Sequence, residues 1–192
     1  MRIGIDISQA VYEGTGVGRY VTELTKAMIQ QRSDAHFVLF GSSYGRYQQL
    51  VAISDAMKAL DPTRVTCTLF SLPLSFFDML WNTLHIVPVE WFTGPVDVFW
   101  SSDWVQPPLA KAIGMTTIHD VSFLRFPESF NKQIIDVHTR RLTRVSVECK
   151  RILCDSEATK RDVIKFLSIP ESHLDVIYPG FSVLQKGVGT SV

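Results

Sequence analysis

IGIDISQAVYEGTGVGRYVTELTKAM, residues 3–28, decides how the rest of the chain is read. It opens as a short apolar strand, Ile3 to Ile7, and crosses a loop with Gly14, Gly16 and Gly18 at alternate positions. It then enters a helix whose apolar residues Val17, Tyr20, Val21, Leu24 and Met28 share one face. Strand, glycine loop and helix form an arrangement suited to phosphate, because glycines let the backbone approach an anion and a helix start offers unpaired N–H groups. A tight strand-to-helix turn with no ligand fits these residues equally well. The P-loop is excluded, since Gly18 is followed by Arg19 and Tyr20 where Lys and then Ser or Thr would be needed. The dinucleotide fingerprint fails as well. Its spacing differs, and the second strand, His36 to Phe40, ends in Gly41, Ser42 and Ser43 rather than in an acidic residue for a ribose. A nicotinamide or flavin cofactor is therefore not expected.

Working outward, the unalternated run HFVLF at 36–40 reads as a buried strand, and Tyr47, Leu50, Val51, Ser54, Met57 and Leu60 recur at helical spacing before Asp61 and Pro62. Val65 to Phe70 is a third strand; Leu72 to Phe92 reads as a helix and a loop, with His85 on the apolar side as a packing residue. Strands follow at Val96–Trp100, Met115–Ile118, Arg151–Cys154 and Leu174–Ile177. Ser129 is the expected cap of a long helix whose inward row is Ile134, His138, Leu142, Val145 and Cys149. Its other faces carry Arg140, Arg141, Arg144, Glu148 and Lys150, read as solvated, with a peripheral membrane or anionic-acceptor contact as the alternative. Asp155 or Ser156 caps a last helix. Alternating short apolar strands and helices predict an α/β fold, a parallel sheet with helices on both faces, over residues 1–180. Residues 181–192 read as a linker or frayed C-terminal tail.

The 192 residues, 46% hydrophobic and 20% charged, permit a full core, and 19 basic residues balance 19 acidic ones. That balance, without a basic stripe, argues against nucleic acid as a partner. Cys67, Cys149 and Cys154 form no CxxC pair and fit small buried residues with reduced thiols, which together with the lack of a signal peptide suggests a cytoplasmic location. The apolar stretch from Leu69 to Phe92 is interrupted by too many polar residues to span a bilayer.

In an open parallel sheet, ligands bind beyond the carboxyl ends of the strands, an edge that receives Gly14–Arg19, Ser101–Trp104 and His119–Ser122. A histidine and an aspartate at a strand tip, here His119 and Asp120, can position a hydroxyl or a sugar; a residue bonded only to backbone is the plainer reading of His119 alone. No GxSxG elbow is present, and the five histidines at 36, 85, 119, 138 and 173 have no metal-ligand spacing, so no metal is expected.

Three runs in order, the opening one, TTIHDVSFLRFPESF and ILCDSEATKRDVIKFLSIPESHLDVIYPG, resemble the N-terminal, Rossmann-like domain of family 4 glycosyltransferases of the GT-B fold. The nearest likeness is to bacterial mannosyltransferases of surface polysaccharide synthesis. The resemblance implies transfer of a mannose-like hexose from a nucleotide diphosphate sugar to a glycan or lipid-linked acceptor, with retention, no metal and no cofactor beyond the donor. It places Gly16, Val17, Gly18 and Arg19 at the donor diphosphate or sugar, and His119 and Asp120 at the reacting centre. Ser102, Asp103, Trp104 and Ser156 fall to the acceptor side, and the aromatics near Trp81 and Trp91 are core or acceptor platforms. Such enzymes hold the nucleotide in a second domain, whereas here the YPG turn is followed only by FSVLQKGVGTSV. This acceptor-side half is therefore expected to be inactive without that partner domain. A non-catalytic binding module or gene remnant that keeps the fold is the alternative. Peripheral contact with the inner face of a membrane would accompany a lipid-linked acceptor.

Overall fold

The computed structural model describes residues 1–180, so the expected tail at 181–192 lies outside the described residues. Seven parallel strands form one sheet in the order β3-β2-β1-β4-β5-β6-β7. They are β1 (Arg2–Asp6), β2 (His36–Ser42), β3 (Val65–Phe70), β4 (Val98–Ser101), β5 (Ile113–Ile118), β6 (Cys149–Cys154) and β7 (Leu174–Val176). The chain runs outward from β1 to β3, returns to the middle, and runs outward again from β4. The switch point between β1 and β4, where Ile3 pairs with Val98 and Ile5 with Trp100, is where a crevice opens above such sheets.

The helices are α1 (Gly16–Gln31), α2 (Tyr47–Lys58), α3 (Leu74–Phe77), α4 (Glu90–Thr93), α5 (Ser122–Arg125), α6 (Lys132–Glu148) and α7 (Glu157–Leu167). Strand alternation explains why both sheet faces are covered. In β2, Phe37 and Leu39 join the cluster beneath α1 and α2. Val38 and Phe40, pointing the other way, join Phe77, Trp81 and Phe99. Each such buried side chain contributes about 1.5–3 kcal/mol. A third cluster, with Leu142, Val145, Ile152 and Val163, packs α6 and α7 against β6.

Several local expectations are corrected. The region from Leu72 to Phe92, read as a helix and a loop, does hold both, but the helix passes from α3 into a π-helical turn, Asp78–Thr83, and the short α4 follows the loop, in which His85 and Val87 hold positive φ. Trp81 at its centre is fully buried, with Phe77 at a ring distance of 4.6 Å, while Trp91 is 79% exposed. Asn131, not Ser129, caps α6, its side chain accepting from Gln133 N–H at 2.8 Å. The charged row of α6 is not a solvated face. Arg141 is 1% exposed, and Arg140 pairs with Asp78 at 2.7 Å. Arg144 donates to the carbonyls of Asn82 and Thr83, and Glu148 meets the His85 ring at 3.0 Å. The π-helical segment supplies the partners of Arg140 and Arg144, which sequence reading assigned to water. Cys149 and Cys154 are buried free thiols, whereas Cys67 is half-buried. Among the described residues no helix is long and apolar enough to cross a membrane.

The glycine loop is shorter than its sequence suggested, since Gly16 and Gly18 already lie in the first turn of α1 and Thr15 caps it, accepting from Gly18 N–H at 3.0 Å. Gly14 takes φ +88°, and a Cβ on Gly18 would lie 2.5 Å from the carbonyl oxygen of Tyr12. A Cβ on Gly16 would meet nothing within 4 Å. Gly18→Ala is accordingly expected to cost about 1–3 kcal/mol by overpacking, and Gly16→Ala to stay within about 0.5 kcal/mol of the parent. Denaturant unfolding of the two variants checks this; equal stabilities would contradict the close approach at Gly18.

Candidate functional site

The C-terminal ends of β1, β4, β5 and β6 bring four loops to one edge. Val17 from the start of α1, Asp103 after β4, and His119 and Asp120 after β5 line one cavity of about 130 Å³, closed behind by Phe123, His138 and Arg141. The turn of α1 and the histidine tip therefore face each other. Their contact is direct: the Tyr20 ring meets the His119 ring edge-on at 5.0 Å and 88°. Thr117, on β5, fixes the same corner, with the Tyr20 hydroxyl at 3.3 Å and the Trp100 indole N–H donating to it at 3.3 Å. Burial pushes the Tyr20 phenol up, against the Thr117 bond and with the Asp155 charge, so it stays protonated near neutral pH.

His119 Nδ1 lies 2.6 Å from Asp155 Oδ2, both side chains mostly buried. A carboxylate can only accept, so this contact places the ring proton on Nδ1 and leaves Nε2 of the neutral imidazole as an acceptor. The other Asp155 oxygen, Oδ1, is buried without a hydrogen-bond partner among the described residues. Asp155 was missed as a site residue by the sequence reading, although it directly follows β6 as His119 follows β5. Ser156, assigned to the acceptor side, is the N-cap of α7: its Oγ accepts from Thr159 N–H at 3.1 Å, and Thr159 Oγ1 donates to the His119 carbonyl. Asp120 is exposed and accepts from Ser122 N–H at 2.8 Å, shaping the turn into α5. Ser102 is buried, and its hydroxyl receives the N–H groups of Trp104 and Val105. Arg19 lies on the exposed side of α1, lining the outer grooves beside Gly16.

Beneath the loops sits Arg141, also missed. Its Nε donates to the Ser102 carbonyl at 3.1 Å, and one terminal nitrogen donates to Thr116 Oγ1 at 2.6 Å and to the Thr117 carbonyl at 3.2 Å. The other lies 3.7 Å from Asp103. Burial pulls its pKa down, while the Asp103 carboxylate above all opposes that shift. Asp6 ends β1 fully buried, its Oδ1 accepting from the backbone N–H and hydroxyl of Ser8. Burial pushes that carboxyl up, against the Ser8 bonds, a Ser102 hydroxyl and the Arg141 charge. The pattern held a signal for Arg141, which stands three residues after His138 and four before Val145 and so on the inward row.

His138 packs between Trp104 and Phe123, at ring distances of 5.0 and 5.4 Å, and burial pulls its pKa down. The Cys149 thiol is pushed up to about 12 by burial, against the pull of Arg141, and that of Cys154 to about 11, so neither is a nucleophile at neutral pH. Among the described residues no group of three or more His, Cys, Asp or Glu is placed to hold a metal ion.

Two outcomes follow from this geometry. Long-range ¹H–¹⁵N NMR should find the neutral His119 ring protonated at Nδ1, and Asp155→Ala should move the proton to Nε2; an Nε2–H form in the parent would contradict the pairing. Arg141→Met should lower stability by about 3–5 kcal/mol, the usual cost of breaking a buried charge network, as read by urea unfolding; a loss below about 1 kcal/mol would demote the guanidinium to a bystander.

No curated protein matches this chain. A family model described as Glycosyltransferase Family 4 matches residues 14–183, from the first glycine of the loop through the tips of β4, β5 and β6 and past the YPG turn. The match covers most of the chain, which therefore belongs to glycosyltransferase family 4.

Proposed function

We propose that this protein is the acceptor-side half of a retaining, metal-independent glycosyltransferase that moves a mannose-like hexose from a nucleotide diphosphate sugar to a glycan or lipid-linked acceptor. The observation that carries the reading is the pairing of His119 with Asp155 at the mouth of a cavity whose opposite wall is the first turn of α1. An imidazole held with Nε2 bare accepts a hydrogen bond from a hydroxyl of the transferred sugar and turns its electron-rich edge toward the positive charge that develops at the anomeric carbon. Gly16, Val17, Gly18 and Arg19 would meet the donor diphosphate or sugar, and Ser102, Asp103 and Trp104 the acceptor. Ser156 would act through the His119 loop, and Asp120 through the turn that it closes.

A cavity of about 130 Å³ is well below the 300–1,000 Å³ that encloses a small-molecule ligand. The reading therefore includes a second, donor-binding domain, on the same polypeptide or another, that closes over this edge and excludes water. The setting is cytoplasmic, at the inner face of a membrane where a lipid-linked acceptor is presented. The arginines of α6 are engaged inside the protein, so such contact would use another surface.

In the enzyme assembled with a donor-binding domain, a nucleotide hexose and a glycan acceptor, His119→Ala should cut turnover by about a hundredfold, as loss of one transition-state contact does. Near-normal turnover would remove His119 from the reacting centre. Absence of transfer by the parent across the nucleotide hexoses would favour a non-catalytic module on the same fold.

A further inference from the structure

We propose that the acceptor is a neutral oligosaccharide of at least two sugar units, lying in a trough along the C-terminal edge of the sheet with its reacting sugar between Gln9 and Trp104. The proposal rests on the glycosyl-transfer reading for the word acceptor, while the trough itself is geometry. Beside the His119 cavity lies a second of about 420 Å³, lined by Gln9, Tyr12, Val17, Leu74, Asp103 and Trp104. The two share Val17 and Asp103. A third, of about 250 Å³, reaches Ser43, Tyr44 and Arg46 beyond β2 and shares Gln9, Tyr12 and Leu74 with the second. The three thus adjoin in a row from the tip of β5 across β1 to the end of β2, a row that offers room for more than one ring.

The chemistry of the middle cavity selects the occupant. Gln9 is 4% exposed, and its Nε2 amide is buried with no hydrogen-bond partner among the described residues. A buried donor left unpaired in the protein marks a place for an acceptor atom from outside it. Across the cavity stands the Asp103 carboxylate, whose ion pair with Arg141 is long at 3.7 Å and leaves it able to accept from hydroxyls. Tyr12 and Trp104 add aromatic surface on which the apolar face of a pyranose can rest. No Lys or Arg lines this cavity, and a carboxylate does, which disfavours a phosphate. At the far end Arg46 is held by its bond to the Val11 carbonyl and by the Tyr12 ring, 5.2 Å away, where its remaining N–H groups can donate to sugar hydroxyls. Tyr44, 73% exposed, is the platform for a further sugar.

The test titrates the ¹⁵N-labelled chain with methyl α-mannopyranoside, α-linked mannobiose and mannotriose, the corresponding glucose series, and inorganic phosphate. The Gln9 side-chain amide and the Trp104 indole N–H signals should shift with one saccharide series and not with phosphate, and affinity should rise about tenfold from one sugar to two. Gln9→Leu should weaken the disaccharide about tenfold. Tyr44→Ala, at an exposed position that leaves the fold intact, should return disaccharide affinity to that of the monosaccharide. Shifts with phosphate alone, no shift with any saccharide, or affinity independent of chain length would each overturn the trough. Saccharide binding of this kind without sugar transfer in the assembled enzyme would sink the catalytic reading and leave the trough standing. Transfer with an unchanged acceptor KM in Gln9→Leu would do the reverse.

Discussion

One guanidinium holds this edge of the sheet together. Arg141 rises from α6 into the gap beneath the switch point and binds the end of β4 through Ser102, the end of β5 through Thr116 and Thr117, and the loop above through Asp103. A charge so fully desolvated costs several kcal/mol unless its donors are satisfied, and here two carbonyls, a hydroxyl and the Asp103 carboxylate surround it. The buried Asp6 ends β1 and anchors the glycine turn through its own bonds to Ser8. Of the three loops that make the cleft, the two after β4 and β5 are thus tied by one guanidinium and the third by this carboxyl.

From that centre two arms extend. Along one, Asp6 binds Ser8, Ser8 Oγ accepts the N–H of Ser42, and the 3₁₀ turn Ser8–Val11 with Tyr12 after it brings the carbonyls of Gln9 and Tyr12 against Gly18, where a larger residue would not fit. Along the other, Thr117 orients Tyr20, Tyr20 abuts His119, and Asp155 fixes which ring nitrogen carries the proton. Both arms end at the same cavity. Preorganisation of this kind matters to group transfer because dipoles already in place cost no reorganisation when charge develops.

Much of this architecture was legible in the sequence. All seven strands were placed within a few residues, since buried parallel strands read as short apolar runs between turn signals. The edge that carries His119, Asp103 and the α1 turn followed from the parallel topology alone. What stayed hidden depends on partners distant along the chain. Arg141 sits at a core position of α6, yet a charge reads as solvated until the carbonyls of Ser102 and Thr117 are known to face it. The π-helical turn at Asp78–Thr83 could not be told from an ordinary helix by spacing, and it supplies the partners of Arg140 and Arg144. Asp155 and Ser156 were confused because both follow β6; the capping geometry, with Ser156 bonded to Thr159, frees Asp155 to turn back toward His119.

The first helix and the histidine tip form two walls of one cleft. The most direct measurement is a nuclear Overhauser experiment on the aromatic protons of Tyr20 and His119, whose ring centroids lie 5.0 Å apart. Strong cross-peaks between the two rings are predicted. Their absence in the folded protein, with the Tyr20 and His119 signals assigned, would contradict the account.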